Sequence, residues 1–130
     1  MYNEYMYRQN WQRANKYNAV KQTYNGYSYD SKFEAKCAYE LDLRQRAGEI
    51  QSWERQFKIS IDINGTHICN YYCDFRLLLN DNSYELLEAK GIETDVYRIK
   101  RKLLEAVWLP EHPDHIYTVV KQTNSRYNRK

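Results

Sequence analysis

The chain has 130 residues, 42% of them hydrophobic by type and 15% aromatic, with a formal net charge of +3. That length buries one working core, whereas two cores would each be marginal, so a single domain is expected. No run approaches the roughly 18 consecutive apolar residues of a membrane span. The opening Met1-Tyr2-Asn3-Glu4-Tyr5 lacks the basic-then-apolar pattern of a secretory leader, so the sequence points to a cytoplasmic protein with no membrane partner.

Cys37, Cys69 and Cys73 are an odd number in a chain without a secretory signal, and they read as reduced thiols. Charge is unevenly spread. Residues 1–27 carry Arg8, Arg13, Lys16 and Lys21 against Glu4, and residues 121–130 carry Lys121, Arg126, Arg129 and Lys130 with no acid, which leaves the intervening stretch net acidic. An acidic centre between basic arms suits an enzyme that holds a cation and a polyanion, and solvated tails have the same pattern. No Gly-rich phosphate loop and no Ser/His/Asp order is present, so nucleotide hydrolysis and acyl chemistry have no support.

Residues 1–29 form a polar, Tyr-rich, basic arm without an amphipathic period. Its Tyr2, Tyr5, Tyr7, Trp11 and Tyr17 interleave with Arg8, Arg13 and Lys16, a mixture suited to stacking on unpaired bases or to docking on the protein itself or a second subunit. Asp30-Ser31 then opens a helix with Phe33, Cys37, Ala38 and Leu41 at three- and four-residue steps, ending near Gly48. Ile50 to Trp53 and the alternating Phe57 to Ile63 read as strand, followed by the turn pair Asn64-Gly65 and a second strand from His67 to Leu79. After the turn Asp81-Asn82-Ser83, Tyr84 to Lys90 reads as a third strand stopping at Gly91. Thr94 is a natural N-cap for a helix whose Val96, Ile99, Leu103 and Val107 share a face, stopped by Pro110. Ile116 to Val120 supplies a last short strand. The fold expected is α/β, in the order α-β-β-β-α-β, with a mixed sheet flanked by helices and a basic tail over 122–130.

Residues two apart in a strand share a face, so Glu88 and Lys90 point the same way and Leu87 and Ala89 the other. If the hairpin closes around Asp81 with a three-residue loop, Asp74 falls directly across from Glu88. Cross-strand Cβ atoms lie roughly 4.5–5.5 Å apart, close enough for two carboxylates to share a hard cation such as Mg²⁺ or Mn²⁺. Lys90 beside them could orient a water or meet developing negative charge. An isolated D…ExK more often marks an exposed strand face, but Leu86-Leu87-Glu88-Ala89-Lys90-Gly91 sets these charges in an apolar strand.

The run Asp30-Ser31-Lys32-Phe33-Glu34-Ala35-Lys36, then Ala47-Gly48-Glu49-Ile50, Trp53-Glu54-Arg55-Gln56, Cys73-Asp74-Phe75, Glu88-Ala89-Lys90-Gly91, Thr94, Arg98 and Lys100-Arg101-Lys102-Leu103 resembles a phage- and prophage-encoded family of small PD-(D/E)xK proteins. That family is catalogued as a domain of unknown function and is similar to Holliday-junction resolvases. The likeness covers roughly residues 24–121. It implies a restriction-endonuclease-like nuclease domain over 30–121, with Glu34, Asp74, Glu88 and Lys90 as the catalytic set and Gln56 as an accessory. It implies metal binding by Asp74, Glu88 and Glu34. Cys73 stands where the motif usually has Pro.

Glu34 has a second reading, because Ser31-x-x-Glu34 is a capping box that closes a helix start. Gln56 depends on the first hairpin: a two-residue Asn64-Gly65 loop sets it opposite Cys73, and a three-residue loop returns it to the face of Asp74. His67, Cys69 and Cys73 share a strand parity that would suit zinc, on the face opposite Asp74, without an evident fourth ligand. His112 and His115 read as loop-surface residues. Arg98, Lys100, Arg101 and Lys102 are candidates for contact with a nucleic-acid backbone, or form a solvated helix face. The expectation is a Mg²⁺- or Mn²⁺-dependent DNA endonuclease acting on branched or single-stranded regions in the host cytoplasm, with homodimerisation suggested by the resolvase likeness. The rival is a non-catalytic nucleic-acid-binding or assembly protein that keeps the fold.

Overall fold

A computed structural model describes residues 22–24, 26–29 and 31–122, and the chain divides into two compact units, residues 1–44 and 45–130. The arm residues 1–21, Asn25, Asp30 and the tail 123–130 lie outside the described residues. No helix among the described residues is long and apolar enough to cross a membrane.

In the first unit, strands β1 (Gln22–Tyr24) and β2 (Tyr27–Tyr29) pair antiparallel, with Gly26 taking the left-handed φ of 85° that the tight connection needs. The polar composition of this stretch does not announce the hairpin. Helix α1 comes next as Lys32–Arg46 and continues across the boundary of the two units. Its start is fixed by Ser31, whose Oγ accepts a hydrogen bond from the Glu34 main-chain N–H at 3.1 Å, one half of the predicted capping box. The predicted apolar stripe holds: Cys37, Ala38 and Leu41 are buried, and Phe33 is half-buried.

The second unit is built on a four-stranded mixed sheet in the order β3 (Ile50–Ile63), β4 (Thr66–Leu79), β5 (Tyr84–Lys90), β6 (His115–Lys121). The first three strands are an antiparallel meander, and β6 joins β5 in parallel. Parallel neighbours need a crossover, supplied by α2 (Asp95–Leu103) and its continuation through a π turn at Leu104–Trp108 and a 3₁₀ turn at Leu109–Glu111. Thr94 caps α2 as predicted, its Oγ1 accepting from the Tyr97 N–H at 3.1 Å.

Two turns set the register that matters. Asn64 and Gly65, both at positive φ between the paired Ile63 and Thr66, form the tight two-residue turn that this dipeptide favours. One step down the ladder the partners change from Asp62↔His67 to Ile61↔Cys69, so Ile68 is an extra residue bulged out of β4. The bulge moves Gln56 back into line with Asp74, between the pairs Arg55↔Phe75 and Phe57↔Cys73. The second hairpin closes with the three-residue loop Asn80-Asp81-Asn82, stabilised by Asn82 at φ 69° and an Asp81 carboxylate that accepts from the Ser83 N–H and hydroxyl. The ladder then runs from Leu78↔Tyr84 to Phe75↔Leu87.

The core of this unit sets Ile59, Ile61, Tyr71, Cys73 and Leu86 of the sheet against Tyr97 and Leu104, with Leu103, Val107 and Trp108 around them. Each such apolar side chain contributes about 1.5–3 kcal/mol on burial. Here one expectation is corrected. Val96 and Ile99 are 63% and 60% exposed, and the buried side of α2 is the Tyr97–Leu104 face, seven residues apart. Leu103 and Val107 of the expected stripe do pack on the core, while in the first turn Tyr97, whose hydroxyl bonds that of Tyr117, takes the buried place instead of Val96 and Ile99. His115 is a second correction: its side chain is 6% exposed and stacks on Tyr84 at 4.7 Å, as part of the sheet and not of the loop surface.

Candidate active site

Glu88 and Asp74 stand out because they are charged residues inside the sheet, 4% and 9% exposed. Buried carboxylates are rare without partners, so each contact matters. Where the β4–β5 ladder stops at Phe75↔Leu87, the Asp74 side chain takes over from the main chain, its Oδ2 accepting from the Ala89 N–H at 2.9 Å. The Phe75↔Leu87 pairing that follows the three-residue loop sets Asp74 across from Glu88, and this bond ties it to the next residue, Ala89. Glu88 Oε1 accepts from the Tyr71 hydroxyl at 2.8 Å, and Oε2 lies 3.9 Å from Lys90 Nζ. Glu88 and Lys90 therefore share a face, as their spacing requires.

Burial pushes the Glu88 carboxyl up from the ordinary 4.5 to about 8, and the neighbouring Asp74 charge adds to the rise. The Tyr71 hydroxyl and the Lys90 ammonium pull the other way without cancelling it. Lys90 is part-buried, with Nζ 4.0 Å above the centre of the Tyr97 ring, a cation–π contact that holds the ammonium beside Glu88.

Strand parity fails at this crossing. Simple alternation puts Tyr71, like Cys73, on the face opposite Asp74, yet the Tyr71 hydroxyl reaches the Glu88 carboxyl. Likewise the Arg76 guanidinium lies 3.9 Å over the Phe57 ring, although Phe57 pairs with Cys73 and not with Arg76. In β3 the irregularity lies between Glu54 and Phe57, which both reach Arg76: Gln56 sits mid-strand at φ 53°. A non-glycine residue held there costs about 1–3 kcal/mol. Gln56 is exposed and aligned with Asp74.

Glu34 is buried at 6% in α1, within the first unit. Among the described residues no group of three or more His, Cys, Asp or Glu side chains converges as a metal-holding set, so the second unit offers the Asp74/Glu88 pair. The His67, Cys69, Cys73 set does not converge: His67 Nδ1 is 2.8 Å from Asp62 Oδ1 on the exposed hairpin, while Cys73 is buried with its thiol toward the Phe75 and Leu87 carbonyls. All three cysteines are free thiols.

The four basic residues of α2 divide. Lys100 turns inward, Nζ donating to the Asn70 carbonyl at 2.9 Å, and Lys102 is exposed. Arg98 and Arg101 face Glu93 at 3.8 and 3.9 Å, and Lys121 joins them with Nζ 3.3 Å from the same carboxylate. Three cations on one acid hold the Glu93 carboxyl below the usual carboxylate range, Lys121 contributing most. Lys121 pairs in register with Lys90, so this excess of positive charge borders the Asp74/Glu88 pair. Sequence reasoning counts Lys121 only as part of a basic tail; the parallel pairing that brings it beside Lys90 is not visible in local pattern.

The residues that sequence reasoning misses altogether are tyrosines. Tyr71 and Tyr117 hydroxyls are 2.6 Å apart, and Tyr117 and Tyr97 hydroxyls 2.8 Å apart, so Tyr71, Tyr117 and Tyr97 link Glu88 to the ring beneath Lys90. Burial pushes all three hydroxyls up from the ordinary value, Tyr71 and Tyr117 the furthest, which keeps them neutral donors. Among 14 tyrosines nothing local marks these three.

No curated protein and no solved structure matches the chain significantly. A family model does match it, over residues 14–124, and the chain belongs to that family, described as "Protein of unknown function (DUF1064)".

Proposed function

We propose that the protein is a metal-dependent DNA endonuclease with a PD-(D/E)xK core, in which Asp74 and Glu88 hold the cation and Lys90 acts beside them. The observation that carries this reading is the Asp74/Glu88 pair, two carboxylates sunk into one end of a β ladder with an ammonium 3.9 Å away. The donor set fits a hard cation. Burial and the proximity of Asp74 keep Glu88 protonated near neutrality, a conflict that a divalent ion held by these two residues would relieve. When bound, Mg²⁺ or Mn²⁺ supplies polarisation of the phosphodiester and a more acidic water.

The chain's own groups do the rest. Asp74 is oriented by the Ala89 N–H, beside Glu88. Lys90, held over Tyr97, is positioned to steady negative charge growing on the phosphorus-bound oxygens. Gln56, in line with Asp74, is an accessory, and Glu34 is assigned to the catalytic set by the family resemblance alone. Arg98, Arg101 and Lys121 form a basic border for the phosphate backbone, and Lys102 extends it. Lys100 serves the fold more than the interface, since its ammonium is bound to Asn70. Branched or partly single-stranded DNA in phage replication or recombination, cut by a homodimer in the host cytoplasm, is the setting that the resemblance favours.

The experiment is a cleavage assay with Mg²⁺ or Mn²⁺ on linear, single-stranded, flapped and four-way-junction DNA, comparing wild type with Glu88→Gln. Metal-dependent cutting lost in the variant is the expected result. Salt-sensitive DNA binding without cutting at any divalent ion assigns the chain to the non-catalytic reading instead.

A further inference from the structure

The Glu88 carboxyl has more behind it than its strand. A phenolic hydroxyl carries one proton and can donate once. Tyr71 gives its proton to Glu88 Oε1 at 2.8 Å, so in the contact with Tyr117, 2.6 Å long, Tyr71 can only accept and Tyr117 must donate. Tyr117, having used its proton, accepts from Tyr97 at 2.8 Å. The chain of bonds therefore runs one way, from Tyr97 through Tyr117 and Tyr71 to Glu88. Tyr97 is also the ring under Lys90, and Lys90 returns to Glu88 Oε2 at 3.9 Å. The ring of contacts is closed. Its members come from β4, β5, β6 and α2, so the carboxylate's orientation is fixed by four elements together.

From this geometry we infer that Tyr71, Tyr117 and Tyr97 are positioning residues that hold one Glu88 oxygen, leaving Oε2 as the oxygen offered to a divalent cation beside Asp74. This rests on the reading of Asp74 and Glu88 as metal-binding groups. Tyr71 acts directly on the carboxylate, Tyr117 orients Tyr71, and Tyr97 anchors the far end while its ring holds Lys90. Groups that orient a metal-binding side chain commonly change metal affinity by about 10- to 100-fold when removed.

The test is Mn²⁺ binding to the full chain, measured by calorimetry and by the Mn²⁺ electron paramagnetic resonance spectrum. Wild type is compared with Glu88→Gln, Tyr71→Phe, Tyr117→Phe and Tyr97→Phe. Each Phe keeps the ring and removes one hydroxyl, so Tyr97→Phe retains the cation–π contact and reads the relay alone. The Mn²⁺ dissociation constant is expected to rise about 10- to 100-fold in Tyr71→Phe, less in Tyr117→Phe and least in Tyr97→Phe, with an altered spectrum in Tyr71→Phe. Unchanged affinity and spectrum in Tyr71→Phe, while wild type binds Mn²⁺ and Glu88→Gln does not, overturn the relay and leave the metal site standing. Should Tyr71→Phe fail to fold, Tyr117→Phe decides, and wild-type affinity there overturns the inference. Wild type that binds no Mn²⁺ removes the metal-site reading, and the relay falls with it.

Discussion

Asp62 and Glu88 lie in one sheet and each has a hydrogen-bonding partner, yet their surroundings drive them in opposite directions. Asp62, near the tip of the first hairpin, is exposed, and bonds from His67 and Ser60 hold its carboxyl below the ordinary value. Glu88 also accepts a hydrogen bond, from Tyr71, but it is buried beside a second carboxylate and is pushed up to about 8. The residue type is nearly the same and the partner count similar; what differs is the water. At the hairpin tip solvation leaves local bonds to decide, whereas inside the sheet the loss of solvation outweighs one bond and one ammonium. Carboxyls displaced in this way cluster at functional sites, which is what the proposed reading of Glu88 draws on.

The sharpest way to break this comparison is by activity. Asp74→Asn, Glu88→Gln and Lys90→Ala are each expected to lower metal-dependent DNA cleavage by about 10²–10³-fold or more, the scale set by losing one charge-stabilising group from a site shielded from water. Circular dichroism should show the fold retained in each. Normal cutting by all three would remove the functional contrast between the sheet interior and its tip.

Next in size is the core that keeps Glu88 dry. Leu86 is fully buried, two residues from Glu88 and within the cluster that includes Tyr71 and Tyr97. Leu86→Ala is expected to cost about 2–5 kcal/mol in denaturant unfolding. A much smaller loss would mean that the site's low solvation has another source.

The raised Glu88 carboxyl has a pH signature whose sign is fixed. Between the unfolded value of 4.5 and the folded value of about 8, the folded state binds more protons than the unfolded one. Stability from this group is therefore fully present below about 4.5 and lost as the pH rises through 8. The metal-free protein should show Tm falling across that window in a thermal melt. Glu88→Gln should flatten the fall, and saturating Mn²⁺ should raise Tm most at the alkaline end, because binding to the folded state alone adds stability.

Local chemistry makes much of this visible in the sequence. The Asp81 loop sets the β4–β5 register, and that register brings Asp74 to Glu88. The Thr94 and Ser31 caps arise from side-chain chemistry at known offsets. Local pattern cannot reach the places where an irregularity breaks a period. The Ile68 bulge shifts the β3–β4 register, the left-handed Gln56 interrupts β3, and Tyr71 arrives at Glu88 from what simple alternation calls the wrong face. The α2 face is missed for a related reason: Tyr97 is buried through its hydroxyl's partners on β6, which no helical period contains. Hydroxyl networks are set by tertiary placement, and so the relay could not be read in advance.

A finer prediction concerns the basic border. Glu93 neutralises part of the Arg98, Arg101 and Lys121 cluster, so Glu93→Gln should tighten DNA binding at low salt, and Lys121→Ala should weaken it uniformly across sequences. In a salt titration Lys121→Ala should reduce the slope of log K against log salt by about 1 if Lys121 meets one phosphate. An unchanged slope would move the backbone contact elsewhere.

The smallest effect is expected at Asp62, and its smallness is what makes it informative. The His67 imidazole lies 2.8 Å from the Asp62 carboxylate, and both side chains are more than half exposed. In that setting water competes for both groups, and holding two side chains in one geometry uses most of what the contact supplies. Asp62→Asn should leave cleavage and Tm within error of wild type at neutral pH. By nuclear magnetic resonance, wild-type Asp62 should titrate below the ordinary 3.8, with the His67 and Ser60 bonds as cause. Because that carboxyl is lowered, its contribution is present above the unfolded value and fades as pH falls through the folded one, opposite in sign to Glu88. A measurable loss of Tm at neutral pH in Asp62→Asn would mean that the hairpin tip is not governed by solvent, and the contrast with Glu88 would then need a cause other than burial.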